Sequence, residues 1–117
     1  MQSAHLIIVD DESQLTALLK KYLERLGYHV DACTDAAAAL ALLDANPAGY
    51  SLLVTDMTLP AMNGEELVRR SRERAPALPA IIVSGYPYEP HADRVDFLQK
   101  PFVPRMLAEA IERMLQA

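Results

Sequence analysis

The chain has 117 residues, is 51% hydrophobic and 23% charged, and carries a formal net charge of −5. That balance describes one globular domain with a buried core, and the acidic excess argues against nucleic acid as a direct partner, since phosphate binding needs a basic face. No apolar run approaches the roughly 20 residues of a membrane span, and the N-terminus lacks a basic-then-apolar signal pattern, so membrane insertion of this domain is not expected.

Strand and helix patterns alternate along the chain, which predicts β-α-β units around a parallel sheet. The first apolar run, Leu6-Ile7-Ile8-Val9, ends in Asp10-Asp11. A helix follows, opened by Ser13 and closed by Gly27, with Leu15, Leu18, Leu19, Tyr22, Leu23 and Leu26 marking its inner face. His29-Val30-Asp31-Ala32-Cys33 alternates in polarity, as an edge strand should. Cys33, the lone cysteine, excludes an internal disulfide, suits a reducing cytosol and reads as a small buried hydrophobe. An Ala-rich helix over 36–45 takes Asp35 as its N-cap and stops at Asn46-Pro47.

The run Leu52-Leu53-Val54-Thr55 then delivers Asp56. Gly64 opens a helix through Arg74, bounded by Pro76 and Pro79. On it Glu65, Glu66 and Glu73 interleave with Arg69, Arg70, Arg72 and Arg74, which predicts a solvated, salt-bridged face. Ala80-Ile81-Ile82-Val83 ends in Ser84-Gly85, and Val95-Asp96-Phe97-Leu98 precedes Lys100-Pro101. The last helix carries Met106, Leu107, Ala110, Ile111, Met114 and Leu115 at helical spacing, with Pro104 near its start.

All the strands but the second read as unbroken apolar runs, the mark of strands covered on both faces. Right-handed crossovers then give an α/β doubly wound five-stranded parallel sheet, and its order, 2-1-3-4-5, is the one flavodoxin-like folds adopt rather than one the residues dictate. Only ten residues, Gly85 to Arg94, separate the last two runs, and Pro87 and Pro90 interrupt them. A parallel crossover with its helix needs about 10–12 residues. The fourth helix is therefore expected to be truncated or missing, leaving apolar sheet surface as a docking patch.

In open parallel sheets ligands bind outside the carboxyl ends of the strands, where Asp10, Asp11, Asp56, Ser84 and Lys100 would gather. Each signal alone is common: an Asp-Asp pair often only caps a turn. Their combination, each after its own apolar run, is not. Three converging carboxylates repel, and the usual resolution is a raised pKa or a bound hard cation. His5, His29 and His91 are scattered, so the ligand set is all oxygen and suits Mg²⁺ rather than a transition metal. A carboxylate beside a metal can attack a phosphoryl group to form an aspartyl phosphate. Lys100 and Ser84 are the residue types that stabilise the charge developing on its oxygens.

Val9-Asp10-Asp11-Glu12, Thr55-Asp56-Met57-Thr58-Leu59-Pro60 with Asn63-Gly64, Val83-Ser84-Gly85-Tyr86 and Phe97-Leu98-Gln99-Lys100-Pro101-Phe102 together resemble a response-regulator receiver domain, over essentially all of residues 1–117. The resemblance implies a module of a bacterial two-component phosphorelay. Asp56 would be the phosphoacceptor, supplied by a phosphohistidine on a sensor histidine kinase or a histidine phosphotransfer domain. Asp11, Asp56 and the backbone carbonyl of Thr58 would hold Mg²⁺, with Asp10 acting through water. Lys100 would pair with the phosphoryl oxygens, its bond to Pro101 being cis. Ser84 and Phe97 match the switch pair, a hydroxyl that moves toward the phosphoryl group and a ring that turns inward behind it. Plain core packing is the other reading of Phe97. Thr58 and Tyr86 flank the expected phosphate position and would tune phosphoryl lifetime.

The wording around Ser84 and Lys100 resembles receivers of hybrid sensor kinases, which fits a cytoplasmic domain that either stands alone or is joined to a kinase or effector domain outside this chain. Two other functions compete. One is a phosphorylation-independent adaptor that keeps the fold, against which the intact acidic triad and Lys100 speak. The other is a Mg²⁺-dependent phosphohydrolase, which needs a substrate-covering cap and an acid-base residue where Thr58 stands.

Overall fold

The computed structural model describes residues 3–116. In chain order its elements are β1 (His5–Val9), α1 (Ser13–Arg25), β2 (His29–Cys33), α2 (Ala36–Ala45), β3 (Leu52–Asp56), α3 (Gly64–Arg74), β4 (Ala80–Ser84), β5 (Val95–Gln99) and α4 (Pro104–Gln116). The strands form one parallel sheet in the order β2-β1-β3-β4-β5, the doubly wound arrangement expected from the sequence.

Side chains alternate between the sheet's two faces, and each face has its own core. Ile7, Val9, Leu53 and Ile82 pack under α2 and α3 with Leu40, Leu43, Leu67 and Val68. Leu6, Ile8, Leu52, Val54, Ile81 and Val83 pack on the other face against Leu19, Leu23, Leu107 and Ile111 of α1 and α4. Both faces of the central strands are thus apolar, which is why those runs are unbroken. Burying each such Leu or Ile contributes about 1.5–3 kcal/mol. Cys33 lies within the first core, 6% exposed, and burial above all pushes its thiol up to about 11.

Helix boundaries follow the capping chemistry. Asp35 accepts a hydrogen bond from Ala38 N at 2.8 Å and opens α2. After α1 the chain reverses at Gly27, whose φ of 101° lies in the left-handed region that a side chain disfavours. Pro104 begins α4, where its missing N–H leaves no helical bond unmade.

Three expectations are corrected. Leu18 and Leu26 are each 55% exposed, so the inner face of α1 is narrower than its leucine stripe, and Met106 on α4 is 41% exposed. Of the arginines on α3, Arg69 and Arg70 do pair with Glu66, but Arg72 is half-buried and donates to the Leu78 and Arg94 carbonyls. β5 is not covered on both faces: Val95 to Leu98 are only half-buried, because β5 is the sheet's edge and no helix joins it to β4. The missing fourth helix itself was expected from the ten-residue span. Where it would lie, the connection Gly85–Arg94 crosses irregularly above a cavity of about 340 Å³.

Candidate functional site

Strand register brings the chemistry together. Val9 lies opposite Thr55, so Asp10 leaves the sheet beside Asp56. Asp56 lies opposite Val83, and Ser84 opposite Gln99, which places Lys100 one residue beyond the sheet. Backbone bonds carry the pairing past the strand ends: Asp10 N to Cys33 O at 3.1 Å, Met57 N to Val83 O at 2.7 Å, and Lys100 N to Ser84 O at 2.8 Å. Each functional side chain is therefore mounted on sheet-like backbone rather than on a free loop.

Lys100 Nζ donates to Asp10 Oδ2 at 3.0 Å and to Asp56 Oδ2 at 3.1 Å, and lies 4.0 Å from Glu12 Oε1. Carboxylate oxygens of Asp10, Asp11 and Asp56 all fall within 4.8 Å of one another. Asp10 is buried, Asp56 half-buried and Asp11 exposed. The second oxygen of Asp10 accepts from Glu12 N at 2.9 Å, and Asp56 Oδ1 from Thr58 N at 3.3 Å. Burial alone would depress the Lys100 ammonium, but its bonds to Asp10 and Asp56, and their charges, hold it above the ordinary lysine value. One ammonium offsets only part of the negative charge of three carboxylates. The remaining oxygens form a hard, all-oxygen donor set of the kind that holds Mg²⁺.

The turn after Asp56 is built tightly. Gly64 N donates to Met57 O at 2.7 Å, and a Cβ at position 64 would sit 2.7 Å from Asp56 O and 3.0 Å from Met57 Cα. Only glycine lets α3 begin this close to the acidic residue. Asn63 caps the helix, accepting from Glu66 N at 2.8 Å. Neither role was assigned from the sequence, although Asn63-x-x-Glu66 before an amphipathic stretch has the form of a capping motif.

The other expected residues are placed as follows. Ser84 ends β4, is 5% exposed, and its Oγ accepts from Tyr86 N at 3.1 Å. Phe97 lies in β5 opposite Ile82, half-buried, with the Tyr88 ring edge-on to it at a centroid distance of 6.1 Å. Thr58 is exposed beside Asp56, and Tyr86 is 78% exposed beyond Ser84. The Lys100–Pro101 bond is cis. Tyr88 escaped the sequence reading: its hydroxyl donates to Glu65 Oε2 on α3, a partner that no local spacing reveals.

This fold, with an acidic cluster and a lysine at the carboxyl edge, defines the class. The sequence profile of the response regulator receiver domain matches residues 6–112, and the chain belongs to that family. It is 36% identical over 118 residues to the response regulator receiver protein CpdR of Brucella abortus, covering 96% of this chain and 97% of that one. It is 33% identical to the transcriptional regulatory protein ResD of Bacillus subtilis over 95% of this chain, which spans 48% of ResD. The receiver domain of the hybrid histidine kinase CckA superposes with a TM-score of 0.88 at 28% identity, covering 97% of this chain and 100% of that one. The protein is thus a signalling module of the two-component type.

Proposed function

We propose that Asp56 accepts a phosphoryl group from a phosphohistidine, presented by a sensor histidine kinase or a histidine phosphotransfer domain. The observation that carries this reading is the convergence of Lys100 Nζ on Asp56 Oδ2 at 3.1 Å within the Asp10–Asp11–Asp56 cluster. In the transfer, an Asp56 oxygen forms the new bond to phosphorus as the phosphorus–nitrogen bond breaks, and the imidazole leaves with the electron pair. Lys100 neutralises charge on the phosphoryl oxygens in a half-buried site, where such a contact counts for more than in water. Asp11, Asp56 and the Thr58 backbone carbonyl would hold Mg²⁺, with Asp10 acting through water. When bound, the ion supplies further charge neutralisation.

The Ser84 hydroxyl then donates to a phosphoryl oxygen and the Phe97 ring turns inward behind it. A charge-assisted bond made in only one arrangement is worth about 1.5–3 kcal/mol, which brings a minority state of a few per cent to parity or beyond. Thr58 and Tyr86, exposed on either side, set water access to the phosphoryl group. The whole of residues 1–117 acts as one cytoplasmic receiver, with a kinase or effector as partner, joined or separate. Among the described residues no helix is long and apolar enough to cross a membrane.

The test is intact-mass measurement after incubation with acetyl phosphate or phosphoramidate and Mg²⁺. The expected result is one added phosphoryl group that requires Mg²⁺ and is lost in Asp56→Asn. No mass gain under any condition favours the adaptor reading.

A further inference from the structure

The connection Gly85–Arg94 takes the place of a helix, and three sets of contacts hold it down. At its start Tyr86 N donates to Ser84 Oγ at 3.1 Å. At its middle the Tyr88 hydroxyl donates to Glu65 Oε2 at 2.5 Å, and the Tyr88 ring lies edge-on to Phe97 at 6.1 Å. At its end the Arg94 carbonyl accepts from Ala80 N at 3.1 Å and from Arg72 Nη2 at 3.0 Å, while Arg94 Nη1 donates to Ala77 O at 2.8 Å. Beneath lies the cavity of about 340 Å³, open to solvent on one side and lined by Val68, Ile82 and Val95 together with Tyr88.

We infer that Tyr88 is a latch. Its bond to Glu65 holds the connection over this cavity in the resting arrangement, and phosphorylation of Asp56 releases it. The inference rests on the phosphoacceptor reading above. Two of the strap's contacts are made with the very residues of the proposed switch. Drawing the Ser84 hydroxyl toward a phosphoryl group withdraws the acceptor from Tyr86 N–H. Turning Phe97 inward removes the ring against which Tyr88 rests. Only the exposed Tyr88–Glu65 bond then remains at the middle of the strap, and a single exposed bond is a weak tether. The strap's start can move, whereas its end stays fastened through Arg94. Burial, then the Glu65 carboxylate, pushes the Tyr88 phenol up to about 12, so it remains a donor at neutral pH.

The contacts that exist only in the resting arrangement set its population, so weakening one favours the alternative before any phosphoryl group is added. Tyr88→Phe removes the hydroxyl and leaves the ring. Val68→Cys, placed in both the parent and the Tyr88→Phe chain, reports the cover, because residue 68 is 4% exposed in the cavity wall. The native Cys33, also buried, gives a slow background.

Three results are expected. The thiol of Val68→Cys reacts with a disulfide reagent roughly fivefold faster in the Tyr88→Phe chain, as the loss of one modest hydrogen bond implies. The parent shows a similar gain after acetyl phosphate and Mg²⁺. Phosphoryl uptake is about two- to fivefold faster in Tyr88→Phe, with Glu65→Gln, whose amide oxygen still accepts, in between. Thermal unfolding confirms that every variant is folded. Equal labelling of the two unphosphorylated chains overturns the tether. A parent that gains phosphoryl mass without faster labelling overturns the release. A parent that gains no mass overturns the phosphoacceptor reading instead, and the first comparison alone then decides the tether.

Discussion

The central strands β1, β3 and β4 and the edge strand β5 are held by different forces. Around β1 and β3 helices lie on both faces, and Leu6, Ile7, Leu52 and Leu53 have no exposed surface. At β5 one helix is missing, Val95 to Leu98 are half-buried and Gln99 is exposed, and hydrogen bonds from Tyr88, Arg72 and Arg94 stand in for apolar packing. Close packing is stiff, while exposed polar ties exchange readily with water. The acidic groups are therefore mounted on the rigid side, and the element able to respond to them lies on the looser one.

The sharpest way to break this comparison is to truncate a side chain in each region. Leu53→Ala is expected to cost about 2–5 kcal/mol in urea unfolding, while Val95→Ala, at the half-buried edge, costs about 1 kcal/mol. Equal losses would mean that the two sides are equally well packed. Next in size is Lys100→Met, which should slow phosphoryl uptake from acetyl phosphate roughly a hundredfold, the usual effect of losing one charge-stabilising donor. Because the folded-state ammonium is raised, its contribution to stability is whole below the ordinary lysine value and fades only as pH climbs through the raised one. The stability gap between the parent and Lys100→Met should thus stay level from about pH 7 to 9. The smallest effect is that of Asn63→Ala, about 1 kcal/mol from the lost cap, measured by thermal unfolding.

Asp10, Asp56, Ser84 and Lys100 were legible in the sequence because each closes or closely follows an apolar run. In a parallel sheet all such run ends meet at one edge. The strand order was taken over from flavodoxin-like folds as a class, since periodicity says nothing of which strands are neighbours. Pro87, Pro90 and a short span were enough to reveal the missing helix.

Other features were hidden for physical reasons. Leu18 and Leu26 fit a helical stripe, but the stripe is wider than the surface that covers it. The open face of β5 was not hidden: Val95–Leu98 is not apolar throughout, and Asp96 within it is the local mark of a strand open to solvent on one face. Tyr88 and Glu65 are 23 residues apart, and only tertiary folding makes them partners.

Arg94 adopts φ 56°, its carbonyl accepts two hydrogen bonds and its guanidinium makes a third. A ribbon bolted at one end and clipped at the other can swing but cannot slide. Wherever its free portion goes, β4 and β5 stay aligned residue for residue. A message leaving this corner of the protein would travel as newly bared surface, without shear of the sheet beneath.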